Sequence, residues 1–159
     1  MKVVVGMADM KAVKSQSDTL VTYSLGSCIA VVVADVTAGV GGLLHFMLPD
    51  SRLDHSKAVS RPHMFADTGI ATLLQELERL GARRRHLTVK LIGGAQILDS
   101  ANFFNIGERN YTAARRLLWK EGLLIEGEDV GGTDIRTVEL EPATGRVNIK
   151  LSGHRVRPL

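Results

Sequence analysis

The stretch Ile29-Ala30-Val31-Val32-Val33-Ala34-Asp35-Val36-Thr37-Ala38-Gly39, followed by Val40-Gly41-Gly42-Leu43-Leu44-His45-Phe46-Met47, decides the fold. Residues 29–33 are wholly apolar, the pattern of a strand buried on both faces. Asp35 to Gly39 carries turn chemistry, with Gly39 able to take a positive φ. Residues 42–47 return as the partner strand, stopped by Pro49. With the turn centred near Thr37, facing residues carry numbers that sum to about 73–75. Position 28 then lies opposite positions 45 to 47, within ~5 Å for a direct pair and ~7 Å for a diagonal one.

Outward from this hairpin, Val3-Val4-Val5 and Thr19 to Tyr23 read as further strands. Residues 50–63 are polar and predict a long loop. Ile70, Leu73, Leu74, Leu77 and Leu80 recur at helical spacing and predict a helix, capped by Asp67 or Thr68 and ended by Gly81. Leu87 to Ile92 is the next strand, running into Gly93-Gly94, which like Gly41-Gly42 reads as a tight turn or bulge. A second helix is expected from near Asn105, with Glu108 as capping-box partner and Gly122 at its end. Its buried face is Tyr111, Ala114, Leu117 and Leu118. Three strands, about 123–127, 134–140 and 146–151, finish the chain. Strands outnumber helices and most connections are hairpin-length. The fold class is therefore mixed α/β with substantial antiparallel sheet, a single domain over 1–159, and not a doubly wound fold.

Composition narrows the function. With 159 residues, 45% hydrophobic and 23% charged, the chain has the balance of a folded protein rather than a disordered one. No apolar run approaches the roughly 20 residues of a membrane helix. The start, Met1 to Lys11, carries no cleavage-site pattern, so a cytoplasmic location is expected. The net charge of +3 is mildly basic, but only 4% of residues are aromatic, which argues against stacking platforms for nucleic acid.

The one cysteine, Cys28, excludes an internal disulfide and a multi-cysteine zinc site. His45, His55 and His63 with Asp50 or Asp54 match no standard zinc spacing, and no metal is expected. Taken alone, Cys28 reads as core packing more readily than as a nucleophile. The hairpin register alters that reading, because it makes His45 a cross-strand neighbour that can accept the thiol proton and form an ion pair. Gly26 lets a substrate carbonyl approach the backbone, and the Cys28 N–H, with a neighbour near Ser27, can form an oxyanion hole. Thr22, on the preceding strand, can orient the imidazole, with Ser24 and Ser27 as nearby competitors.

The runs Thr22-Tyr23-Ser24-Leu25-Gly26-Ser27-Cys28-Ile29-Ala30-Val31 and Gly42-Leu43-Leu44-His45-Phe46-Met47-Leu48-Pro49 resemble the CheD family of chemoreceptor glutamine deamidases. Ala66-Asp67-Thr68, Gly93-Gly94-Ala95, Asn105-Ile106-Gly107-Glu108-Arg109-Asn110, Asp129-Val130-Gly131-Gly132 and Arg136-Thr137-Val138-Glu139 follow in family order. The resemblance implies a β-sandwich flanked by outer helices, similar to cytotoxic necrotizing factor-like cysteine hydrolases. It implies hydrolysis of receptor glutamine side chains to glutamate and ammonia, with Cys28 as nucleophile, His45 as base, Thr22 as orienting hydroxyl, and no cofactor. Methyl-accepting chemotaxis receptors are the implied substrates, and a CheC-type phosphatase is a partner in many systems. Three alternatives stand beside this reading: a glutamyl methyl esterase using the same residues, a non-catalytic regulator of such a phosphatase, and a redox-sensing thiol protein. The tail, Gly153 to Leu159, carries no characteristic motif.

Overall fold

The computed structural model describes residues 1–96, 105–152 and 156–159. Two five-stranded sheets face each other. One joins β1 (Lys2–Val4), β3 (Thr19–Leu25), β8 (Arg136–Glu141), β9 (Arg146–Leu151) and β10 (Val156–Pro158), in that order. The other joins β2 (Asp9–Lys14), β5 (Val40–Phe46), β4 (Ile29–Asp35), β6 (Thr88–Gly93) and β7 (Ile125–Val130). Pairing is antiparallel except for β1 with β3 and β6 with β7. Helices α1 (His55–Ser60), α2 (Ala66–Arg79) and α3 (Ile106–Lys120) and three short 3₁₀ turns complete the described elements.

The central hairpin explains its own unbroken apolar run. Ala30, Val32 and Ala34 of β4 pack with Leu20, Val138 and Ile149 in the core between the sheets. Ile29, Val31 and Val33 point the other way, into a second core with Ile70, Leu73 and Leu77 of α2 and Ala114 and Leu118 of α3. A strand in the middle layer of a sheet–sheet–helix stack has no polar face to show. Helices α2 and α3 therefore flank one side of the sandwich, the outer face of the second sheet. Register runs from Ile29↔Phe46 to Asp35↔Val40, the upper end of the expected range. Asp35 anchors the turn by accepting from Ala38 N–H at 3.1 Å and Arg83 N–H at 2.9 Å, and Gly39 sits at φ 70°.

Several expectations need correction. Strand β2 has no counterpart in the sequence reading; it is a half-buried edge strand with Asp9, Lys11 and Lys14, so it lacks an apolar run. The polar segment 50–63 is not a plain loop but holds α1 and two 3₁₀ turns, Ser51–Leu53 and Pro62–Met64. Its polar residues are caps: Asp50 accepts from Arg52 N–H and Asp54 from Lys57 N–H. Neither Asp67 nor Thr68 caps α2, which starts after Phe65. Asp67 instead accepts from the Ser51 N–H at 3.0 Å and hydroxyl at 2.6 Å, and Thr68 donates to the Pro62 carbonyl. Asn105 precedes α3 in a left-handed conformation, φ 51°, with no side-chain cap. Gly41 and Gly42 lie inside β5 and form neither turn nor bulge, whereas Gly93 and Gly94 do bend the chain. Of the tail, 153–155 lie outside the described residues; Val156–Pro158 adds β10 at the sheet edge.

Candidate active site

Thr22 follows Leu20 by two residues and so faces the inter-sheet core, and a bulge in β3 between Thr22 and Leu25 turns Leu25 to the same side. Ser24 takes φ 56° there, Tyr23 and Ser24 both face outward, and Thr22 and Leu25 both face inward. Thr22 is 0% exposed and His45 1%. The Thr22 hydroxyl lies 2.8 Å from the Val5 carbonyl and 2.7 Å from His45 Nδ1. A carbonyl can only accept, so the single hydroxyl hydrogen goes to Val5, and Thr22 Oγ1 accepts from Nδ1–H. That fixes the tautomer. Nε2 carries the lone pair, and it is buried without a hydrogen-bond partner among the described residues.

Cys28 is half-buried and stands on the same face of the hairpin as His45, one diagonal step away, since Ala30 faces His45 directly. Its segment is held by its carbonyls. The Gly26 carbonyl accepts from Ala95 N–H at 2.9 Å and the Cys28 carbonyl from Gly94 N–H at 2.8 Å. The Ser27 carbonyl accepts from Asn110 Nδ2 at 3.0 Å. Gly93, at φ 114°, admits this contact, because a Cβ there would sit 2.3 Å from the Cys28 oxygen. Apart from the Cys28 sulfur itself, the N–H groups of Ser27 and Cys28 meet no acceptor among the described residues. They are the donors available to a developing oxyanion.

Burial sets the charge state. It pushes the Cys28 thiol up to about 11, only partly opposed by its own backbone N–H. Burial also pushes His45 down to about 4, against the opposing pull of Asp9. Burial thus favours thiol and neutral imidazole over the ion pair expected from sequence. Nε2 and the thiol make no hydrogen bond in this state. Among the described residues, no three His, Cys, Asp or Glu side chains are arranged to hold a metal ion.

Residues 47–151 match the family model described as CheD chemotactic sensory transduction. The chain belongs to the CheD family. It is 51% identical over 157 residues to the probable chemoreceptor glutamine deamidase CheD 1 of Syntrophus aciditrophicus, covering 99% of this chain and 98% of that protein. It is 45% identical over 152 residues to the probable chemoreceptor glutamine deamidase CheD of Solibacter usitatus, covering 96% and 90%. The chemoreceptor glutamine deamidase CheD of Halalkalibacterium halodurans is 41% identical over 149 residues, covering 92% and 91%. The family match begins beyond His45, but the alignment with the Syntrophus CheD protein spans 99% of the chain and so runs through Thr22, Cys28 and His45. A crystal structure of the Neisseria meningitidis protein NMB0706 matches 82% of this chain and 62% of its own at 12% identity, with a TM-score of 0.42.

The structure thus brings Thr22, His45 and Cys28 together, with Gly26 and Ser27 in the tethered segment before the thiol. Sequence reasoning missed Val5, Asn110 and the Gly94 and Ala95 amides. Backbone partners leave no residue-type signal. Asn110 did leave one: it is a polar residue on the buried face shared by Gly107, Ala113, Ala114 and Leu118.

Proposed function

We propose that this chain, acting as one domain over residues 1–159 in the cytoplasm, is a thiol-dependent deamidase of chemoreceptor glutamine side chains. Kinship with proteins named chemoreceptor glutamine deamidase supports the substrate class. The observation that carries the chemistry is the Val5–Thr22–His45 chain, which leaves a bare Nε2 lone pair on the Cys28 face.

The steps follow from these groups. Nε2 takes the Cys28 proton as sulfur attacks the amide carbon, so the thiolate forms only with substrate in place. The carbonyl oxygen becomes an oxyanion, received by the Ser27 and Cys28 N–H groups. The imidazolium gives its proton to the amide nitrogen, ammonia leaves, and a thioester remains. His45 then takes a proton from water as hydroxide adds to the thioester. Collapse releases glutamate and returns the proton to sulfur. One water is consumed and one ammonia formed per glutamine.

The test incubates the protein with purified receptor fragments and follows the glutamine-to-glutamate mass change in peptides. Conversion is expected with the wild type and lost in Cys28→Ala and His45→Ala. Full conversion by Cys28→Ala would refute the thiol mechanism. Release of methanol from methylated fragments without deamidation would instead indicate an esterase.

A further inference from the structure

We infer that Asn110 is a positioning residue for the Cys28–His45 pair, tying together the two strand ends that carry them. This rests on the deamidase reading above. The β4–β5 ladder ends at Ile29↔Phe46. The next facing positions are Cys28 and Met47, and no backbone bond closes that rung. Met47 N–H turns away to the Met64 carbonyl at 2.8 Å, and the Cys28 carbonyl accepts from Gly94. Asn110, 0% exposed, fills the gap: Nδ2 donates to the Ser27 carbonyl at 3.0 Å and to the Met47 carbonyl at 2.8 Å.

One nitrogen thus bridges the residue before the thiol and the residue two beyond the imidazole. Both neighbours are acceptors, so only the NH₂ end of the amide can face them, and both its hydrogens are used. The cost is visible on the other side, where Oδ1 is buried without a partner among the described residues. A buried acceptor left unpaired is expensive, which points to a group kept for geometry. The helix is seated to match. Gly107, one turn earlier, lies so close to the bend that a Cβ would come within 2.5 Å of the Ala95 oxygen and 2.6 Å of the Gly94 oxygen. That bend supplies the amides that hold the Gly26 and Cys28 carbonyls. Of the three carbonyl tethers on residues 26–28, Asn110 provides the one made by a side chain.

The experiment measures kcat and KM on a receptor fragment for the full-length wild type, Cys28→Ala, Asn110→Ala and Asn110→Ser, with thermal melts of each. Loosening by about an ångström is expected to lower kcat roughly 10²-fold in Asn110→Ala, with KM within about threefold of wild type. The Asn110→Ser hydroxyl can still donate to one carbonyl, so part of that loss is expected back. Wild-type kcat in a folded Asn110→Ala, or a loss confined to KM, overturns the inference and leaves the deamidase reading intact. If Asn110→Ala does not fold, Asn110→Ser decides by the same criterion: reduced kcat at unchanged KM supports positioning, and wild-type kcat overturns it. Absence of any Cys28-dependent deamidation by the wild type overturns both.

Discussion

Thr22 belongs to one sheet and His45 to the other, and the 2.7 Å bond from His45 Nδ1–H to the Thr22 hydroxyl joins them across the core. The packing of the two sheets therefore decides which ring nitrogen holds the proton. A neutral hydroxyl does this without a carboxylate to stabilise imidazolium, in keeping with an imidazole that burial holds neutral.

Replacing Thr22 by Val keeps the shape and removes the acceptor. The Nδ1–H is then buried and unpaired, at a cost of roughly 1–3 kcal/mol, and the ring is free to adopt the other tautomer. Deamidation is expected to fall roughly 10²-fold, less than the ~10⁴ seen where a carboxylate partner is lost from a triad. Thr22→Ser should retain most activity. Nitrogen NMR of the imidazole checks the cause: Nδ1–H in the wild type and a shifted proton in Thr22→Val. Unchanged tautomer and unchanged rate in Thr22→Val would refute the assignment.

The charge states give a second expectation. With the thiol raised to about 11, iodoacetamide labelling of Cys28 should climb through the alkaline range without a plateau near neutrality. A plateau at pH 6–7 would mean a resting ion pair. For stability, His45 is lowered from 6.5 to about 4, so the unfolded chain binds the proton first. Its contribution is fully present above pH 6.5 and is lost as pH falls through about 4, by roughly 3 kcal/mol in total. Cys28 acts at the other end, its contribution being present below pH 9 and lost as pH rises through about 11. Urea unfolding of wild type and His45→Phe across pH 4–8 checks the acid limb, which should flatten in the variant.

The hairpin and the Cys28–His45 adjacency were legible because apolar runs and turn residues are local signals, and register arithmetic carries them a few ångströms into space. The helical stripe of Ile70, Leu73, Leu74 and Leu77 was legible for the same reason. Strand β2 was not, since an edge strand's partner supplies the pairing while its own residues stay half-exposed. The caps at Asp67 and Asn105 were misread because both depend on what tertiary neighbours offer: Asp67 finds Ser51 instead of its own helix. The charge state of the pair was not legible because sequence shows proximity but not burial, and here burial opposes charge on both groups.

Arg136 and Arg157 share Asp129 but differ in burial, which separates their contributions. Arg136 is 4% exposed and donates to Asp129 at 3.1 Å, the Gly131 carbonyl at 2.9 Å and the Gly93 carbonyl at 3.4 Å. Arg157 reaches the other Asp129 oxygen from a half-exposed position. Arg136→Ala breaks a buried pair and is expected to cost roughly 3–5 kcal/mol, while Arg157→Ala should cost about 1 kcal/mol or less. Equal urea midpoints for the two variants would contradict this.

Gly93 is the position where the nucleophile's tether meets the backbone most closely, and Gly122 gives the matched comparison. Both have positive φ, 114° and 73°. A Cβ on Gly122 meets nothing within 4 Å, whereas one on Gly93 lands 2.3 Å from the Cys28 oxygen and 2.9 Å from the Leu25 side chain. Gly122→Ala should therefore cost only the left-handed strain of a non-glycine residue, about 1 kcal/mol. Gly93→Ala adds a backbone overlap and is expected to cost roughly 2–4 kcal/mol. It must also displace the Cys28 carbonyl from Gly94 N–H, so deamidation should fall at least tenfold by the same misplacement argument. Thermal melts and deamidation rates of the two variants check this. If Gly93→Ala and Gly122→Ala lose stability equally and both keep wild-type rates, the Gly93–Cys28 contact does not hold the nucleophile in place.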